Sequence, residues 1–142
     1  SVRAHNGVFV VDPAGWRVRW KEHLAPGESR RITAGVAQPV VLPVLGLHAW
    51  LPICYELLGP TSDTVAGAQL VVSVASDEFD PTGAASQVMT RVLRLRALEL
   101  GVPAIRVSSR IASAIVDADG RVVQLAGAGP QALRAAISTG AR

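Results

Sequence analysis

The sequence predicts one domain of mixed α/β (α+β) class, and three observations carry the prediction. Short apolar runs bounded by turn residues recur along the chain. Two pairs of these runs flank an Asp-x-x-Gly turn, the pattern of a β-hairpin. One segment, Ala84 to Leu100, has a helical apolar period and is closed by Gly101 and then Pro103. Strands alternating with few helices define this class.

The elements follow in order. Gly7 to Val11, the turn Asp12-Pro13-Ala14-Gly15 and the alternating run Trp16 to Trp20 form the first hairpin, with glycine at the positive-φ position. Pro26 to Pro39 is polar and glycine-rich and reads as a loop. Trp50 to Glu56 reads as a strand ending in a turn before Gly59-Pro60, and Pro60 to Gly67 as a loop or frayed helix. Gln69 to Ala75 is a buried strand, Ala84 to Leu100 the long helix, and Ala104 to Ser108 a further strand. Ser113 to Val116 and Arg121 to Leu125 make the second hairpin, and Pro130 to Ser138 reads as a short helix. On a wheel of about 100° per residue, Val88, Met89, Val92, Leu93, Leu95 and Leu100 share one apolar arc, with Thr90, Arg91 and Arg94 opposite. Arg96 and Glu99 fall inside that arc, three apart, and should pair there. They are either a structural ion pair or a brace for a neighbouring site.

Composition narrows the functional classes. The 142 residues are 49% hydrophobic and 18% charged, which supports a packed core. The longest apolar stretch, Pro39 to Pro52, is broken by three prolines, Gly46 and His48, so it is no membrane span. Ser1 to Asn6 lacks the pattern of a signal peptide. The net charge is +3, but the basic residues form no stripe with interleaved aromatics, which disfavours nucleic-acid binding. The single cysteine, Cys54, cannot form an internal disulfide. It is either a small core residue or a nucleophile. Lys21 is the only lysine among 14 basic residues, so a compact ammonium whose pKa can shift stands alone against an arginine background. His23 and His48 have no triad-like context.

Four strings in order then carry a resemblance. ICYE (Ile53 to Glu56) resembles the nucleophile motif of the nitrilase, or carbon–nitrogen hydrolase, superfamily. WKEHLAPGE (Trp20 to Glu28) resembles its lysine motif, in the form used by the apolipoprotein N-acyltransferase branch. RALELGVP (Arg96 to Pro103) and IRVSSRIASAIVDADGRVV (Ile105 to Val123) resemble the helix end and the strand–hairpin that follow. The chain departs from that branch where Pro26 runs directly into Gly27-Glu28, in Ser76-Asp77-Glu78-Phe79, and at Ile111, a place usually held by glycine.

The resemblance implies part of an αββα sandwich with a mixed sheet. Residues 1–142 would be the C-terminal part of a carbon–nitrogen hydrolase domain, without the N-terminal half that holds the family's first catalytic Glu. It assigns Cys54 as nucleophile and Lys21 as the lysine that stabilises the oxyanion, with Glu28 and Glu56 lining the site. Arg96 and Glu99 would support it. The chemistry suits these types: a thiolate attacks an acyl carbonyl, and an ammonium lowers the thiol pKa and stabilises developing charge. On an extended strand, Glu56 would project to the same face as Cys54 and Tyr55 to the other. Glu56 read alone is equally a solvated strand-end charge, and Glu28 a loop charge.

The implied function is transfer of a fatty acyl group from phospholipid to the N-terminus of a lipoprotein, at the periplasmic side of a bacterial inner membrane. No cofactor and no metal is implied. The partners would be the phospholipid donor, the lipoprotein acceptor and the missing half-domain or a second copy. The alternatives are a cytoplasmic amidase acting on a small amide, and a non-catalytic domain used for packing or binding. Half a sandwich should be inactive alone and should leave an apolar sheet face open to association.

Overall fold

A computed structural model describes residues 4–78, 80–109, 113–127 and 129–139. Phe79 and Ile111, two of the departures noted above, lie outside the described residues. Strands β1 (Gly7–Asp12) and β2 (Gly15–Trp20) form an antiparallel hairpin. Its turn is fixed by the Asp12 side chain, which accepts from the Ala14 N–H at 2.9 Å. A six-stranded mixed sheet follows, in spatial order β3 (Val41–Val44), β4 (Leu47–Trp50), β5 (Leu70–Ala75), β6 (Ala104–Ser108), β7 (Ala114–Val116) and β8 (Val122–Leu125). Its two central pairings, β4 with β5 and β5 with β6, are parallel; the others are antiparallel. Helix α1 (Ala84–Leu100) crosses between β5 and β6.

The sheet has a layer on each face. On one, Met89, Leu93 and Ala97 of α1 pack on Trp50, Val71, Ala104, Ala114 and Val116. Leu93 is fully buried, and truncating such a side chain typically costs about 2–5 kcal/mol. On the other, Val10 of β1 and Ile137 pack against Ala49, Leu51, Leu70 and Ile105. The hairpin is therefore the start of a second β layer, and that sheet face is partly covered rather than bare. The hairpin's aromatic face points away: Phe9 and Trp16 are exposed, whereas Val10 and Arg19 are buried. The polar set of the β2 alternation is thus the one turned inward.

Several expectations are met and others corrected. The long helix and β6 have the bounds read from the sequence. Within α1, however, Val88 and Leu95 are 51% and 48% exposed, so the buried line runs through Ser86, Met89, Leu93, Arg96 and Ala97. The Pro26–Pro39 loop contains a 3-10 turn, Glu28–Arg30. Trp50 to Glu56 is not a strand to its end. β4 stops at Trp50, a single bridge pairs Ile53 with Val74, and Cys54–Leu58 is a 3-10 helix. Residues 130–138 are not helical. There the Gln131 side chain accepts from the Gly127 N–H, and the Gln124 side chain from the Arg134 N–H, tying the segment to its neighbours without helical bonds. The β3–β4 hairpin was not read from the sequence. Its two-residue turn is Leu45-Gly46, both at positive φ (49° and 83°), the conformation a tight hairpin requires.

Candidate active site

Two segments meet at the end of β2, and a third lies just beyond β5. The first is the lysine segment. Lys21 directly follows β2, and its backbone is held by the Asn6 carbonyl (2.8 Å) and by the Gly35 N–H (2.8 Å). Its side chain is fully buried. Its Nζ donates to both carboxylate oxygens of Glu28, at 2.8 and 2.6 Å. Glu28 opens a 3-10 turn, where it also accepts from the Ala25 N–H at 2.5 Å. A buried ammonium is costly unless paired and hydrogen-bonded, and here a bidentate carboxylate does both.

The second segment is the cysteine turn. Chain leaving β4 runs through Leu51 and Pro52 to Ile53, then turns sharply into the 3-10 helix Cys54–Leu58. Cys54 is the first residue of that helix and has φ 52°, a left-handed conformation unusual for a side chain of this kind. Such strain persists only where surrounding structure imposes it, and it clusters at functional sites. The geometry is that of an elbow that presents the first side chain of the turn. The thiol is half-buried. Burial pushes its pKa up; the Lys21 ammonium and a backbone hydrogen bond with Tyr55 pull it down; the Glu28 and Asp77 carboxylates push it up again. The balance lies above the ordinary thiol value of 9.0.

The structure thus brings Cys54, Lys21 and Glu28 into one electrostatic unit. His23 and His48 are exposed. Tyr55 is 39% exposed rather than in the core. Glu56 differs from its expected place beside Cys54 on a strand. It is buried in the 3-10 turn, where its carboxylate accepts from Arg19 Nη1 (2.8 Å), Glu22 N–H (2.7 Å), His23 N–H (3.2 Å) and Ile53 N–H (2.8 Å). It is neither a solvated charge nor an open carboxylate.

Arg96 and Glu99 pair as expected, at 2.6 Å. Arg96 does more than that. From α1 it donates to the carbonyls of Leu57 (3.1 Å), Leu58 (3.3 Å) and Gly59 (2.5 Å), closing the far end of the cysteine turn.

A third segment was missed. Asp77, just beyond β5, is buried and accepts from Ser86 Oγ (2.5 Å), Ser108 Oγ (2.6 Å) and Arg106 Nη2 (2.5 Å). Arg106 is fully buried on β6. A signal existed: Ala104 and Arg106 share the face of β6 that packs on the helix, so an arginine there needed a buried acid. Arg19 was missed because the alternation of Trp16 to Trp20 does not by itself say which face turns inward. Among the described residues no group of His, Cys, Asp and Glu is placed to hold a metal ion, and no helix is long and apolar enough to cross a membrane.

The cysteine turn thus follows β4, and the buried Lys21, bonded to Glu28, follows β2. Solved structures share the fold. A carbon–nitrogen hydrolase from Helicobacter pylori superposes with a TM-score of 0.72 at 18% identity, over 87% of this chain and 52% of that one. The chain thus has the fold of the nitrilase (carbon–nitrogen hydrolase) superfamily and resembles it. Within it, the chain is similar to part of apolipoprotein N-acyltransferase. It is 36% identical over 145 residues to that of Allorhizobium ampelinum, covering 84% of this chain and 27% of that protein. It is 30% identical over 157 residues to that of Bradyrhizobium diazoefficiens, covering 92% and 29%. The chain thus spans under a third of the length of the curated relatives it matches. No family model matches it.

Proposed function

We propose that this chain carries the cysteine side of a thioester-forming acyl-transfer site of the apolipoprotein N-acyltransferase type. The observation that carries the proposal is the Lys21 ammonium, buried, gripped by Glu28 and acting on the Cys54 thiol. Cys54 would attack the acyl carbonyl and Lys21 would stabilise the oxyanion. Glu28 would hold Lys21 in place. Arg96, paired with Glu99, would fix the turn that presents the sulfur. The acceptor would be a lipoprotein N-terminus, as the names of the matched relatives suggest; the motif resemblance implies a phospholipid acyl donor and the periplasmic face of an inner membrane.

A raised thiol pKa requires a base to take the proton. Without one the thiol stays largely protonated near neutrality, and acylation is expected to be slow. A second reading, hydrolysis of a small amide, draws on the likeness to solved amidases of the superfamily, such as that of Nesterenkonia.

Intact-mass analysis separates the two. A hydroxylamine-labile fatty-acyl adduct on Cys54 after incubation with phosphatidylethanolamine vesicles supports acyl transfer. An adduct formed only from a small amide supports the amidase. A thiol that iodoacetamide labels but neither donor acylates would mark a packing domain.

A further inference from the structure

We propose that Arg19 is a positioning residue for the Cys54–Lys21 site, acting through Glu56 to lock the lysine segment onto the cysteine turn. The inference rests on the thioester reading above for its catalytic meaning.

The geometry is a clasp. One carboxylate, that of Glu56, takes four hydrogen bonds from two segments distant in sequence. Arg19 Nη1 and the Glu22 and His23 N–H groups come from the lysine segment; the Ile53 N–H comes from the residue before Cys54. Lys21 lies between Arg19 and Glu22, so the chain is held on both sides of it. Its own ammonium takes no part, being bound to Glu28. Arg19 Nη1 also donates to the Trp20 carbonyl at 3.0 Å, which fixes the peptide immediately before Lys21. Without the guanidinium, Glu56 would be a buried carboxylate with no cation bonded to it.

The pair is a poor choice for stability alone. Arg19 is only 2% exposed, and its Nε is buried with no hydrogen-bond partner. Apolar residues of like volume commonly stabilise as well as a buried ion pair does. What apolar residues cannot do is fix the register between two segments through directed bonds. The charges that act on the thiol are those of Lys21, Glu28 and Asp77. Arg19 therefore reaches the sulfur through the position it gives Lys21.

The single cysteine makes the test clean. The pH dependence of iodoacetamide alkylation of the chain reads the Cys54 thiol alone. Lys21→Met is expected to raise the midpoint by roughly one unit. Arg19→Met should raise it by about half as much. So should the doubly apolar R19M/E56L, which removes the clasp without changing the net charge. Val10→Ala, which loosens the packing of the same hairpin, should lower Tm and leave the midpoint unchanged.

If K21M shifts the midpoint and R19M/E56L, still folded, does not, the clasp is overturned and the site stands. If K21M causes no shift, the Cys54–Lys21 reading itself fails, and the clasp with it. A V10A shift equal to that of R19M would reduce the clasp to general loosening and overturn it. Should R19M and the double variant not fold, R19K decides. Its flexible ammonium lacks the rigid guanidinium plane that sets Nη1 between the Glu56 carboxylate and the Trp20 carbonyl, so a wild-type midpoint in R19K overturns the proposal.

Discussion

The Lys21 ammonium is bonded to both oxygens of the Glu28 carboxylate, at 2.8 and 2.6 Å, and has no solvent exposure of its own. The two charges act on the Cys54 thiol with opposite signs, Lys21 lowering its pKa and Glu28 raising it. Glu28→Gln removes the raising charge and should lower the thiol midpoint, so alkylation at neutral pH speeds up. It also leaves the buried ammonium facing a neutral amide, and stability should fall by about 1–3 kcal/mol. Thiol titration and a urea melt of the same variant check both. A Glu28→Gln midpoint at or above wild type would show that Glu28 does not face the sulfur electrostatically.

Arg96 closes the cysteine turn from outside. Its three backbone acceptors, Leu57, Leu58 and Gly59, are the carbonyls at the end of that 3-10 helix. Arg96→Met should cost about 1–3 kcal/mol, the usual effect of leaving buried hydrogen-bond acceptors unmet. The loss should be local before it is global: amide exchange should rise first in residues 54–59. Uniform exchange across the sheet, with the turn no faster than the rest, would mean that Arg96 serves only the core.

How much of this was legible in the sequence depends on how local each signal was. Helix α1 and strand β6 were readable because periodicity and the Gly101–Pro103 stop agree. Cys54 and Lys21 were singled out by the resemblance of ordered motifs. The β3–β4 hairpin was not, since its turn is Leu45-Gly46 with no Asn or Asp, and since Pro43 argues against a strand. Pro43 is tolerated because β3 is an edge strand. The place of Glu56 was misread for a related reason. Strand alternation sets its direction only if Cys54 is extended, and the positive φ of Cys54 turns the chain away. Arg19 and the Asp77–Arg106 pair are non-local: each partner looks like a surface charge until the fold buries both.

Asp80 offers a test at acid pH. Burial opposes its charge, but hydrogen bonds from the Ser86 N–H, the Thr82 hydroxyl, and the Ala85 and Gly83 N–H groups prevail and hold its pKa below the ordinary 3.8. These donors lie at the start of α1, so the carboxylate caps the helix and complements its dipole. A folded-state pKa below the unfolded one means that this stabilisation is complete above the unfolded value and is lost as pH falls through the folded one. Asp80→Asn should therefore lower Tm near neutrality, and the gap to wild type should narrow below about pH 4. A gap that stays constant from pH 7 to pH 3 would remove the cap's charge from the account.

The elbow makes the last prediction. Cys54 adopts φ 52° without being glycine, and a left-handed residue with a Cβ pays about 1–2 kcal/mol for that conformation. Cys54→Ala keeps the Cβ and the strain, whereas Cys54→Gly releases both. The glycine variant gains unfolded-state entropy, which works against it by roughly 0.5–1 kcal/mol. Even so, it should be as stable as the alanine variant or more so, by up to about 1 kcal/mol. At an unstrained position the same comparison would favour alanine by up to about 1 kcal/mol. Side-by-side urea melts of the two variants decide the sign. If alanine is the more stable by that margin, the turn holds no strain, and the sulfur's presentation at the strand end is a matter of sequence rather than of a conformation imposed by the fold.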